Sequence, residues 1–296
     1  MCHERNHAQF FAPVYWFLST ARHSAIIVNL VMSKKNSSRI GFLHIPKTAG
    51  VSVTQAFVEE LGADQCALFS DKMIDETFLH SRFVSGHIYF GDVTHDAFLF
   101  TFLRNPIRQI ASHLMWIDHY NLPQFQQERE GFPENVKAGI RALENTDLSS
   151  AKSIDNYLRR HPLDSPLRIA NLQSEMLAFK RQEVVSMSNR ELADLAIRRL
   201  GELDFFGLSE TLHADMCSLF RTLEFRSMPE LSHLNSSPSE RVVDYQLPDV
   251  KRVLSKYVQA DQWLYEYAVN AKSSPVSKAK SPFSIIRALY RRITND

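Results

Sequence analysis

Residues 39–61 read RIGFLHIPKTAGVSVTQAFVEEL, and this stretch decides the fold class. RIGFLHI (39–45) is a short apolar run of strand length that ends at Pro46. VSVTQAFVEEL (51–61) sets Val53, Phe57, Val58 and Leu61 on one face at helical spacing. The same strand-to-helix change recurs downstream. AFLFTFLR (97–104) is a continuous apolar run of the kind a parallel sheet buries on both faces. Pro106 then sits where a first helical residue is favoured, and IRQIASHLMWIDHY (107–120) continues as an amphipathic helix. FVSGHIYF (83–90) reads as a strand running into a turn, and DFFGL (204–208) as another buried strand. From 133 onward the pattern is mainly helical, over about 133–145, 150–160, 166–180, 188–201, 210–224 and 247–271. SHLNSSPSERVVDY (232–245) reads as a loop. Strands alternating with helices imply an α/β domain with a mostly parallel sheet and a helix-rich C-terminal half.

The chain has 296 residues, 44% apolar and 23% charged, enough for a sizeable core and too apolar for bulk disorder. Only 9 residues are glycine; none form G-x-G-x-x-G and none precede lysine, so the dinucleotide fingerprint and the Walker A loop are both absent. A net charge of +1 argues against a dedicated nucleic-acid binder. That total is unevenly spread. Arg5, Arg22, Lys34 and Lys35 against Glu4 give residues 1–38 a charge of +3. Lys272, Lys278, Lys280, Arg287, Arg291 and Arg292 against Asp296 give residues 271–296 a charge of +5, which leaves −7 for the body. The 3 cysteines are widely spaced, which fits a reducing, cytosolic compartment and no disulfide framework.

Residues 1–38 read as a poorly defined extension. Its apolar run 10–32 is interrupted by Pro13, Arg22, His23 and Asn29, so a loose extension or a natural start at Met32 is favoured over a membrane anchor. The body spans 39–271, and 272–296 reads as a Ser/Lys/Pro linker followed by a basic amphipathic helix. That helix can lie on an anionic membrane surface or dock on the acidic body, and both readings stand.

Two joints carry chemistry. HIPKTAGVS (44–52) has the parts of an anion cradle: a helix N-terminus, Lys47 as a mobile cation, hydroxyls at Thr48 and Ser52, and Gly50 for close backbone approach. An ordinary strand–turn–helix joint with a capped helix is the bland alternative. LRNPIRQIAS (103–112) ends a buried strand on Arg104, whose forked guanidinium suits a phosphate, with Ser112 on the following helix. Both joints fall at strand C-terminal ends, where open α/β sheets bind ligands.

The pairing of a PKTAG loop with RNPIRQIAS resembles sulfotransferases that use 3′-phosphoadenosine 5′-phosphosulfate. The resemblance is to the carbohydrate branch that includes heparan-sulfate 2-O-sulfotransferase and its bacterial relatives. ANLQSEMLAF (170–179), FFGLSE (205–210) and HLNSSP (233–238) are weaker echoes of the same family. The resemblance implies a three-layer fold like that of P-loop NTPases. It also implies that Lys47, Thr48, Ala49, Gly50, Val51 and Ser52 line the 5′-phosphosulfate loop, while Arg104 and Ser112 take the 3′-phosphate. The acceptor is then a hydroxyl, on a carbohydrate, and the reaction needs no metal. The family usually has Thr or Ser where Val51 stands, and a lost neutral hydrogen bond weakens binding by roughly 0.5–1.5 kcal/mol.

Transfer to a hydroxyl needs a base and a group that stabilises the leaving phosphate. Lys47 suits the second role. For the first, His87 follows an apolar strand and Gly86, and the resemblance points to a Gly-His segment between the two cofactor motifs. A turn histidine bonded to backbone is the alternative. His44 reads as structural, and the six-residue spacing of His113 and His119 suits metal ligation poorly. Arg108 either supports the 3′-phosphate or pairs with a carboxylate, and Trp116, at helical spacing from Ser112, either faces the purine or, as the favoured reading, is a core aromatic. Competing functions are a nucleotide or sugar kinase, which lacks its Gly-Lys-Ser/Thr loop, and a catalytically degenerate, membrane-peripheral relative. The oligomeric state is not legible in the sequence.

Overall fold

The computed structural model describes residues 39–69, 81–92, 97–160, 167, 169–180, 186–227 and 241–273. The N-terminal extension with its 10–32 run and Met32, the linker and basic helix beyond 273, and HLNSSP with most of its loop lie outside the described residues.

Five strands form one all-parallel sheet: β1 (Ile40–Leu43), β2 (Cys66–Phe69), β3 (Phe83–Gly86), β4 (Phe98–Leu103) and β5 (Phe205–Leu208). Their order is β2-β3-β1-β4-β5. The expected strands all form, and the four-residue β2, too short to stand out by periodicity, is an addition. Helix α1 (Gly50–Leu61) follows β1 and α2 (Pro106–Asp118) follows β4, with Pro106 opening the helix as its fixed φ favours.

Side chains alternate across β4, and the alternation explains why helices cover both faces. Phe100 and Phe102 join Phe42, Val53, Phe57, Phe83, Met216 and Phe220 on the face covered by α1 and a later helix, Leu212–Thr222. Leu99 and Leu103 join Leu43, Leu172, Met176, Leu200 and Leu264 on the other. The aromatic face is closely packed: Phe57 stacks on Phe83 at 4.3 Å and Phe42 on Phe100 at 4.8 Å between centroids. Each fully buried Phe of this kind contributes roughly 1.5–3 kcal/mol. Thr101, buried in the apolar face, donates its hydroxyl to the Leu43 carbonyl at 2.7 Å, so that hydroxyl is not stranded.

In chain order the remaining helices are α3 (Gln126–Glu130), α4 (Glu134–Glu144), α5 (Ala151–Arg160), α6 (Leu172–Ala178), α7 (Asn189–Glu202), α8 (Leu212–Thr222), α9 (Pro248–Tyr257) and α10 (Gln259–Ser273). Helices α2, α4, α5 and α9 build a separate apolar cluster around Ile110, Leu114, Ile140, Ile154 and Leu254. Arg241 fastens this unit by pairing with buried Asp118 at 2.9 Å and donating to the carbonyls of Leu143 and Glu144 at the end of α4.

Two helical expectations are corrected. The helix expected over 166–180 is the shorter α6, because Asn171 has φ 46°, outside the right-handed helical region. The helix expected over 247–271 is broken at Val258 into α9 and α10. Its cause lies elsewhere in the chain: the Asn171 side-chain oxygen accepts from Ala260 N at 3.0 Å and so caps α10. The Tyr257 carbonyl is likewise diverted to Asn171 N at 3.1 Å. Among the described residues, no helix is long and apolar enough to cross a membrane.

Close packing extends to the sheet edge. A Cβ on Gly207 of β5 would stand 2.2 Å from the Phe102 ring, which is fully buried and has no room to move. Gly207→Ala is therefore expected to destabilise the protein by about 1–3 kcal/mol, the usual cost of overpacking, as a lowered midpoint in urea denaturation. An unchanged midpoint would contradict this packing.

Candidate functional site

Because β3, β1 and β4 are neighbours in a parallel sheet, the segments leaving them emerge side by side at its C-terminal edge. These are His87 after β3, the loop 44–49 after β1, and Arg104–Asn105 after β4. The two joints singled out in the sequence are thus brought together.

The first loop is locally strained. Lys47 and Ala49 have φ of 65° and 74°, a region that non-glycine residues seldom occupy and that is retained where surroundings enforce it. Three bonds enforce it here. Thr48 Oγ1 donates to the Ile45 carbonyl at 2.8 Å, Gln109 Nε2 to the Pro46 carbonyl at 3.1 Å, and Arg104 Nη1 to the Lys47 carbonyl at 2.9 Å. These engage the loop carbonyls, the groups that would otherwise repel an anion. They also correct one expectation: the fully buried Thr48 spends its hydroxyl proton inside the loop, so toward a ligand it offers only its backbone N–H. Ala49 occupies the N-cap position of α1 without a side-chain cap, which leaves the first-turn N–H groups uncapped by it at the positive end of the helix dipole. Val51 is partly buried and Ser52 buried within that first turn.

Gly50 has a packing reason beside the one its sequence context suggests. A Cβ there would lie 1.8 Å from His44 Nε2, so the space beside Gly50 is filled by an imidazole. His44 in turn stacks on Phe42 at 5.5 Å and lies 4.9 Å from the His87 ring. His87 is itself buried, which keeps both expected roles open: a base reached through the site, or a packed turn histidine.

Electrostatics single out Lys47. It is partly buried, and burial, reinforced by the neighbouring Arg104 charge, pushes its ammonium down to about 8 from 10.5. Among the described residues no carboxylate lies within ion-pair distance of it. Arg104 is also lowered by burial, with Glu210 acting in the opposite direction and Arg108 in the same one. Burial first, and the Lys47 charge after it, bring His44 and His119 down to about 4 and His113 to about 3, with the Trp116 backbone acting the other way on His119. Two neighbouring cations, with Glu210 acting on Arg104 alone and His44, His113 and His119 neutral, leave Lys47 short of balancing negative charge, which suits binding of an anion.

Other expected residues fall less tightly into place. Ser112 is half-buried on α2 and makes no side-chain hydrogen bond among the described residues. Arg108 forms no ion pair with a carboxylate among the described residues: its Nε donates to the Tyr245 hydroxyl at 3.3 Å and its guanidinium lies 5.9 Å over that ring. Trp116 is a packed aromatic, 5.7 Å from both His113 and His119 and 5.3 Å from Tyr120. His119 sits in the turn after α2 (His119–Asn121) rather than on the helix. Among the described residues no three His, Cys, Asp or Glu side chains converge as metal ligands would.

The two later echoes do have a place at this site. Gln173 of the ANLQSEMLAF stretch bonds the Arg104 backbone, and Glu210 of FFGLSE accepts from Asn105 N at 2.9 Å. Sequence reasoning noticed these stretches without assigning them. Gln109, which braces the loop, carried no signal beyond lying one residue after Arg108. Compared with known proteins, the chain matches no family model and no curated sequence.

The depressed Lys47 ammonium has a consequence for stability. Its folded value, about 8, lies below the unfolded 10.5, so folding opposes its charge and the penalty is full below about pH 8. The penalty fades as pH rises toward 10.5, where lysine is neutral in both states. Urea denaturation at pH 7.5 and 9.5 should therefore show wild type gaining stability relative to Lys47→Met as the pH rises, and parallel curves would rule out the buried cation.

Proposed function

We propose that the protein is a sulfotransferase that moves the sulfuryl group of 3′-phosphoadenosine 5′-phosphosulfate to an acceptor hydroxyl, on a carbohydrate. The observation that carries the reading is the partly buried Lys47 beside Arg104 with no carboxylate to balance it among the described residues, at a strand–loop–helix joint. The position of that joint, after central strand β1 of a parallel sheet, supports the P-loop-like form of the α/β fold.

The residues present fit the cofactor's charge distribution. Lys47 and the first-turn N–H groups of Gly50, Val51 and Ser52 face the 5′ end, and Arg104 grips the 3′-phosphate. The bound cofactor supplies an activated sulfuryl group and a phosphate leaving group. Lys47 holds its proton where negative charge grows on that leaving oxygen, an electrostatic contribution that is large in a partly dry site. His87 takes the proton of the acceptor hydroxyl, for which it must be neutral and within reach of that oxygen. The loop carbonyls are already engaged, so the acceptor and leaving group meet a surface of donors.

Titration calorimetry with 3′,5′-adenosine bisphosphate tests the reading. Wild type is expected to bind it, and Arg104→Ala to lose at least about a hundredfold, the scale of a buried charge-assisted pair. His87→Ala should abolish turnover and leave bisphosphate affinity within about twofold; equal loss of both would make His87 structural. Binding of ATP with Mg²⁺ and none of the bisphosphate would favour the kinase reading instead.

A further inference from the structure

Arg104 is the first residue past a strand, and such a residue has no ladder partner to fix its backbone. A side chain supplies one here. Gln173 Oε1 accepts from Arg104 N at 2.9 Å, and Gln173 Nε2 donates to the Arg104 carbonyl at 2.9 Å. The amide thus pairs with the Arg104 main chain as a neighbouring strand residue would, with both bonds shielded because Gln173 is only 1% exposed.

Gln173 is itself held. The fully buried carboxylate of Asp261, on the first turn of α10, accepts from Gln173 N at 3.2 Å and Ser174 N at 2.7 Å, capping α6. Asn171, just before α6, returns the favour by capping α10 through Ala260 N. Two helix N-termini therefore cap each other, and their shared product is a fixed amide directed at one backbone position. On the opposite side of the joint, Glu210 holds Asn105 N at 2.9 Å and Ser209 Oγ donates to the Leu103 carbonyl at 3.2 Å.

We propose that Gln173 is a positioning residue for Arg104, fixing its main chain so that the guanidinium stands between the Lys47 carbonyl and the 3′-phosphate of the ligand. This rests on the reading of Arg104 as the 3′-phosphate group. A guanidinium that touches Lys47 O through Nη1 keeps its remaining donors for an anion only while its Cα stays in place. A shift of about an ångström at the backbone is enough to lose a bidentate contact. The consequence is selective: the 3′-phosphate contact depends on Gln173, and the 5′ loop does not.

The probes are 3′,5′-adenosine bisphosphate and adenosine 5′-phosphate, which lacks the 3′-phosphate. Wild type is expected to prefer the bisphosphate. Gln173→Met, similar in volume with neither bond, should cut that preference about tenfold while leaving adenosine 5′-phosphate affinity unchanged, the scale of one to two lost neutral hydrogen bonds. Gln173→Glu keeps the acceptor for Arg104 N and should retain part of the preference; it carries the test if Gln173→Met shows no cooperative unfolding. A preference unchanged in a folded variant, or equal loss for both nucleotides, overturns the positioning role. A wild type that binds without preferring the bisphosphate overturns the assignment of Arg104, and the proposal with it.

Discussion

Two cations held side by side at the edge of a sheet are the constraint around which this protein is built. Burial lowers the affinity of both groups for protons, and the Arg104 charge lowers that of Lys47 further. Such an arrangement destabilises the fold that contains it, so it persists only where many other contacts hold it. The contacts come from every element near the site. Arg104 Nη1 and Gln109 restrain the loop through its carbonyls, Gln173 and Glu210 restrain the strand end, and Asp261 restrains Gln173 from the adjoining helix α10. The repulsion is thereby converted into a fixed deficit of negative charge, which an incoming anion relieves.

The same constraint explains the backbone of the loop. Left-handed conformations at Lys47 and Ala49 point successive carbonyls inward, where donors wait, and bring the loop onto the first turn of α1. Glycine would adopt those angles with less strain, yet the single glycine of the motif is spent one residue later. At Gly50 it is the His44 ring, in the space a Cβ would need, that allows nothing larger. The low glycine content of the chain and the tight fit of this joint are thus two sides of one design: strain is carried by ordinary residues, and glycine is kept for close contact.

How much of this was legible follows from range. β1, β4, α1 and α2 are local patterns, readable from apolar runs, Pro106 and helical spacing, and the two anion-suited joints come with them because a strand ending in a loop before a helix is a local feature. The clamp is not local. Gln173 lies 69 residues from the backbone it bonds and Asp261 lies 88 from Gln173, so no window of sequence links them. The break at Val258 escaped for the same reason: nothing in KYVQADQW stops a helix, and only the distant Asn171 side chain makes two capped helices better than one. Thr48 shows the limit within a motif. Its place in the loop is fixed by sequence, but the direction of its hydroxyl depends on the φ of the residue before it.

Lys47 also bears on the imidazoles around it. Its charge adds to burial in lowering His44, His113 and His119, so all three are neutral near pH 7. A neutral imidazole accepts a proton and does not compete with the ammonium for an anion, whereas a charged one would do the reverse on both counts. His87 packs against one of these rings, that of His44, at 4.9 Å. Burial therefore keeps these three neighbouring bases uncharged, and the same cation that faces the anion adds to that effect.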